Sequence, residues 1–160
     1  MPARATADRA QDYIVDEDRH TIALTRNLSV TVEQAFALWT EPRHVEQWWD
    51  PSGKPLAACS INLCVGGELR FVGVGNNAPP FVGRYVEINP PTLLVFEAMA
   101  AIGTVTIAPR DGGSRVQIEI CAPDAEALRG MLEIGVAVGT AQTLDNLQAY
   151  SRPSKGESDR

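Results

Sequence analysis

The sequence predicts an α+β domain in which a curved antiparallel sheet of seven strands wraps one long C-terminal helix, with two short helices after the first strand. Three observations predict it. Short β-rich segments follow one another from residue 57 to 121 with only turn residues between them, which makes neighbours antiparallel. A helical stretch over 125–150 closes the pattern, and at 1.5 Å per residue it spans roughly 39 Å, enough to cross a whole sheet. A chain of 160 residues with 44% hydrophobic content supplies one core.

The elements follow in order. Residues 1–19 combine low hydrophobicity with mixed charge and are expected to form a mobile tail, with the domain over 20–150 and a polar tail over 151–160. Ile22, Leu24, Leu28 and Val30 recur at period two and predict the first strand, and Arg26 interrupts its apolar phase. Thr31 and Gln34 form a capping box for a helix running to about Trp39. Pro42 suits the first position of a second helix, whose apolar side is Val45, Trp48 and Trp49, and Asp50-Pro51-Ser52-Gly53 ends it. Strands are expected over 57–63, 68–74, 81–88, 93–98, 102–108 and 115–121. Their separators are rich in Gly, Asn, Asp and Pro, residues that impose turns. Asp124 is placed to cap the terminal helix, and Glu126 in its first turn suits the helix dipole. A seven-stranded sheet with one helix on one face must curl to cover its apolar side. Pattern alone leaves open whether a cavity remains inside.

Several function classes are excluded on composition. The net charge of −6 and scattered Lys and Arg provide no basic field for nucleic acid. No apolar run has the length of a signal peptide or of a membrane span, so a cytoplasmic protein is expected. Three cysteines, Cys59, Cys64 and Cys121, suit neither a disulfide framework nor, with only His20 and His44 beside them, a metal site. No phosphate-binding glycine loop, nucleophile elbow or Cys-His pair is present, so no cofactor and no catalytic residue is assigned.

Other residues do invite a functional reading. Trp39, Trp48 and Trp49 fall within eleven positions, and each buries a large area. They either seal the helix pair onto the sheet or line a pocket, and neighbouring Trp48 and Trp49 must face different ways. Leu69, Phe71, Phe81, Tyr85, Leu94 and Phe96 alternate along strands and project toward the helix as core or as cavity wall. The Tyr85 hydroxyl is placed to orient a ligand. Gly130, Gly135 and Gly139 weaken the long helix; either the helix packs closely on the sheet, or the missing side chains leave ligand space beside a pliable Met131. Arg26 shares the inward phase and needs a carboxylate, for which Glu68 and Glu97 are candidates, or it reaches solvent at a strand end, or it anchors an anionic ligand group. His44 stands alone on a short helix as a surface residue or a general base.

The stretch from Ala35 to Pro42, followed by Val45-Glu46-Gln47-Trp48-Trp49, resembles a helix pair ending in a double tryptophan. That pair is found in the activator of heat-shock-protein-ninety ATPase homologue family, within the START or Bet-v-1-like (SRPBCC) superfamily. Ile61-Asn62-Leu63 with Gly66 to Phe71, the hairpin from Phe81 to Phe96, and Gly139 to Leu147 resemble later parts of the same family. Two positions depart from it. Asp50 stands where glycine often follows the double tryptophan, as a charge at a pocket mouth or a turn cap, and Thr140 stands where a tryptophan often follows glycine. The resemblance implies a helix-grip fold with a cavity. The expected function is non-catalytic binding of a small apolar or amphipathic ligand, with Trp39, Trp48, Trp49, Leu69, Phe71, Phe81, Tyr85, Phe96, Met131, Gly135, Gly139 and Arg26 as its site. Alternatives are a chaperone-regulating module, with a chaperone or a second copy of the chain as partner, and a cyclase- or aromatase-like enzyme using Tyr85, Arg26 or His44 for proton transfer.

Overall fold

Large apolar and polar side chains alternate along each strand segment, and in the computed structural model, which describes residues 13–75 and 79–152, they build one eight-stranded antiparallel sheet. In chain order the elements are β1 (Ile14–Asp16), β2 (Thr21–Leu28), α1 (Val32–Thr40), α2 (Pro42–Trp48), β3 (Ala58–Ile61) and β4 (Glu68–Val72). They continue as β5 (Phe81–Asn89), β6 (Leu93–Ala98), β7 (Ala101–Arg110), β8 (Gly113–Cys121), α3 (Ala125–Glu133) and α4 (Val136–Ser151). The sheet order is β1-β2-β8-β7-β6-β5-β4-β3. Strands β3 to β8 form the expected meander. Strand β2 pairs with β8, and the chain then crosses through α1 and α2 to start β3 at the opposite edge. The α+β helix-grip class is the fold observed.

The strand count is eight rather than seven because Ile14–Asp16, inside the segment expected to be a tail, adds to the edge of β2 with Val15 opposite Ile22. The tail expectations for residues 1–12 and 153–160 lie outside the described residues, as do positions 76–78 of the turn before β5. The strand expected over 57–63 ends at Ile61, because the Cys64 N–H turns back to the Asn62 carbonyl and the Gly67 N–H to that of Cys64.

The caps read from sequence form as expected. Thr31 Oγ1 accepts from the Gln34 N–H at 3.1 Å, the Gln34 side chain accepts from the Thr31 N–H at 2.9 Å, and Asp124 accepts from the Ala127 N–H at 2.8 Å. The terminal helix differs from expectation: the stretch 125–150 is two helices, not one. Gly135 takes a φ of +88°, in the left-handed region, where a right-handed helix cannot continue. Its N–H returns to the Leu132 carbonyl, and its own carbonyl opens α4 by accepting from Gly139.

The core lies between the sheet's inner face and the helices. Ile22, Leu24 and Leu28 of β2, Val105 and Ile107 of β7, and Val116 and Ile118 of β8 meet Leu144 and Leu147 of α4. Arg26 shares this inward face and is buried, but it meets neither Glu68 nor Glu97. Its Nε and NH2 each lie 3.1 Å from Asp145 Oδ1 on α4, and NH2 also donates to the Ala141 carbonyl. On the other flank of α4, Thr143 Oγ1 donates to the Trp49 carbonyl at 3.0 Å and Asn146 Nδ2 to that of Asp50 at 2.9 Å. These bonds hold α4 between β2 and the end of α2.

Candidate ligand-binding cavity

Clamped at its flanks, α4 leaves space beneath it. A cavity of about 390 Å³ lies between α3, α4 and the sheet. The sheet contributes Phe81, Phe96, Gly103, Ile118 and Ile120, and α4 contributes Val136, Gly139, Thr140, Thr143 and Leu144. Trp39 and Trp49 wall one side, and Met131 of α3 another. Exposed Pro51, Met99 and Ile134 mark its opening; Met99 at the β6–β7 turn and Ile134 at the helix break are 67% and 75% exposed. That turn is strained, since Met99 and Ala100 both have positive φ, 54° and 65°, without being glycine.

Aromatic rings line one end in a continuous cluster. The Trp49 ring meets those of Phe71 and Phe81 with centroids 4.7 and 5.1 Å apart, and Phe81 stacks on Phe71 at 5.7 Å. Phe96 can lie against the sheet because the residue opposite it, Gly103, has no side chain. A Cβ there would stand 2.8 Å from Phe96 Cζ.

Of the residues singled out from sequence, Trp39, Trp49, Phe81, Phe96, Met131 and Gly139 line this cavity. Trp48 does not. It is fully buried, and its Nε1 donates to the Leu38 carbonyl at 3.1 Å, so the adjacent tryptophans diverge, one into core and one into cavity wall. Leu69, Phe71 and Tyr85 surround a second space of only about 10 Å³, which holds at most one water, so they are core. Gly135 lies outside the cavity and serves the helix break, and Arg26 is engaged by α4. His44 Nδ1 sits 2.8 Å from the Tyr150 hydroxyl, away from the cavity. Tyr85, Arg26 and His44 therefore do not converge as the enzymatic alternative requires. Asp50 accepts from Ser52 Oγ at 2.8 Å, which makes it a turn cap.

Several wall residues escaped the sequence reading. Gly103, Ile118 and Ile120 follow the period-two phase of β7 and β8 and were accessible to it. Met99 and Ile134 sit in turns, where no period exists to follow. Thr140 occupies a wall position where a tryptophan would project into the space.

Among the described residues, none that lines the cavity is ionisable. The two threonine hydroxyls already donate, Thr140 to the Val136 carbonyl at 2.7 Å and Thr143 to that of Trp49. Trp39 Nε1 is buried with no partner among the described residues, a state that costs a donor about 1–3 kcal/mol. Beneath the aromatic cluster, burial and then the Glu46 carboxylate push the Cys59 thiol up to about 11, and burial and then Cys59 push the Tyr85 phenol up to about 12. Both stay neutral near pH 7.

Residues 29–152 match the sequence model of the family described as Activator of Hsp90 ATPase homolog 1-like protein. The chain belongs to this family. Its members' fold recurs among solved structures. A protein of Mycobacterium smegmatis has a TM-score of 0.76 at 21% identity, covering 86% of this chain and 94% of that one. A Nitrosomonas europaea protein gives 0.76 at 20%, with 85% and 96% covered. The AHSA1-like protein of Aeromonas hydrophila gives 0.68 at 21%, with 81% and 90% covered. No curated protein matches the chain. Among the described residues, no helix of this family member is long and apolar enough to cross a membrane.

Proposed function

We propose that the protein binds a small apolar or amphipathic molecule in the cavity between α4 and the sheet, without catalysing a reaction on it. The observation that carries this is an apolar space of about 390 Å³ inside an otherwise filled core, within the size range of small-molecule sites. Empty apolar space deprives its walls of contacts, and a ligand restores them. Thr140 and Gly139 support the reading, because the wall positions that could fill the space carry a small side chain and none.

A thermal-shift screen with apolar and aromatic compounds tests it. Ligands are expected to raise Tm in the parent protein, and Thr140→Trp, which fills the space with an indole, is expected to abolish the shift while the apo protein stays folded. Shifts that survive Thr140→Trp unchanged would place binding elsewhere and overturn the proposal. The family description supports a second reading, a module acting on the Hsp90 ATPase. Stimulation of that ATPase by the purified protein tests it.

A further inference from the structure

We infer that α3 is a hinged lid on this cavity, which swings outward about Gly135 to admit the molecule and is held closed by that molecule's contact with Met131; this rests on the cavity being a binding site. The two helices that wall the space are anchored very unequally. Helix α4 buries Ala137, Ala141, Thr143, Leu144 and Leu147. Polar bonds fix it on both flanks, from Arg26 to Asp145 on one and from Thr143 and Asn146 on the other, and Gln148 Nε2 adds a bond to the Asn27 carbonyl at 2.8 Å. Helix α3 buries Leu128 alone. Among the described residues, no hydrogen bond or ion pair joins it to the sheet or to α4; its side-chain bond runs to its own cap, Asp124.

The two ends of α3 suit such a movement. At its start the Ala122 N–H donates to the His20 carbonyl at 2.8 Å, and Pro123-Asp124 then turns the chain off the sheet into the helix. At its end Gly135, with φ of +88°, separates the axis of α3 from that of α4. No other element comes within 4 Å of the place a Cβ would take at Gly135 or, inside α3, at Gly130, so neither position is packed against a neighbour. Ile134, beside the hinge, is 75% exposed at the cavity mouth, so the hinge end of α3 borders the opening. A segment with one buried residue and no polar anchor opens for far less free energy than unfolds the domain, and a few dihedrals at its ends absorb the change. Met131 is the α3 residue that lines the cavity, and its pliable thioether lies where it can pack on a molecule inside. That contact supplies the attachment the helix otherwise lacks.

Amide hydrogen exchange, followed by NMR, detects the lid with no ligand present. A helix of 9 residues that leaves its neighbours is too short to persist in water, so its amides exchange whenever it opens. In the free protein, the amides of residues 128–134 are expected to exchange at least about a hundredfold faster than those of 140–148. N-phenyl-1-naphthylamine, a neutral apolar fluorophore, serves as the probe. At saturation it is expected to slow exchange over 128–134 by about tenfold. Met131→Ala is expected to release it about tenfold faster in stopped-flow fluorescence, because the contact that holds the lid down is gone. Exchange over 128–134 as slow as over 140–148 in the free protein, exchange there that the bound probe leaves unchanged, or release unaltered by Met131→Ala would overturn this inference and leave the cavity reading standing. Probe binding that survives Thr140→Trp unchanged would overturn the cavity reading, and the lid with it.

Discussion

Gly103 shows how one missing side chain shapes the site. Its Cβ would stand 2.8 Å from the Phe96 ring, so Gly103→Ala is expected to swing the ring toward the cavity, weaken probe binding, and cost about 1 kcal/mol in urea denaturation. Period-two alternation put Phe96 on the inner face from sequence alone, but alternation cannot tell which residue stands across the ladder, so its glycine partner went unread. Tyr85 and Cys59 carry a different consequence. Both acids have folded values raised above their ordinary ones, from 9.0 to about 11 for Cys59 and from 10.0 to about 12 for Tyr85. Each therefore favours the folded state while protonated, fully below its ordinary value, and the contribution is lost as pH rises through the raised one. The urea midpoint is expected to fall between pH 9 and pH 11, and less steeply in Tyr85→Phe. For Arg26 the phase shared with Ile22 and Leu24 left an inward position and a strand end reaching solvent both open, and the structure buries it. Its partner Asp145 could not be read, since it sits 119 positions away on a helix whose packing no local pattern encodes.

At the scale of elements, the glycines of the terminal segment divide by conformation. Gly130 lies inside α3 with open space where a Cβ would go, whereas Gly135 stands at φ +88° between the helices. Gly130→Ala is expected to stabilise the protein by about 0.5–1 kcal/mol, and Gly135→Ala to destabilise it by about 1 kcal/mol or more, as compared by thermal unfolding. Helix existence, both caps and the Pro42 start could be read because they depend on residues within one turn of each other. The break at Gly135 could not, because a glycine in a helical pattern gives the same signal whether its φ is negative or positive. The eighth strand was hidden for a related reason: β1 has three residues, Ile14 is exposed, and its pairing with β2 contributes what its own composition does not.

For the whole molecule, the order of elements determined the class, and a curled sheet under a terminal helix followed from the need to cover one apolar face. The cavity did not follow. It depends on where α4 comes to rest, which is set by Arg26–Asp145 on one flank and by Thr143 and Asn146 on the other, all of them tertiary contacts. The β2–β8 ladder also bears on timing. Thr21 pairs with Cys121, and Leu28 with Ser114, so this ladder, one strand in from the β1 edge, joins the two ends of the domain. Closing so long a loop is entropically costly and slow. During synthesis β2 has only the three-residue β1 beside it until β8 leaves the ribosome, and α4, which rests on β2, comes later still. A chain truncated after Asp111 is expected to remain without cooperative unfolding by circular dichroism, even though it retains β3 to β7 and both early helices. The cavity is therefore the last part of the protein to acquire walls, and a ligand present during synthesis meets a completed meander before it meets a pocket.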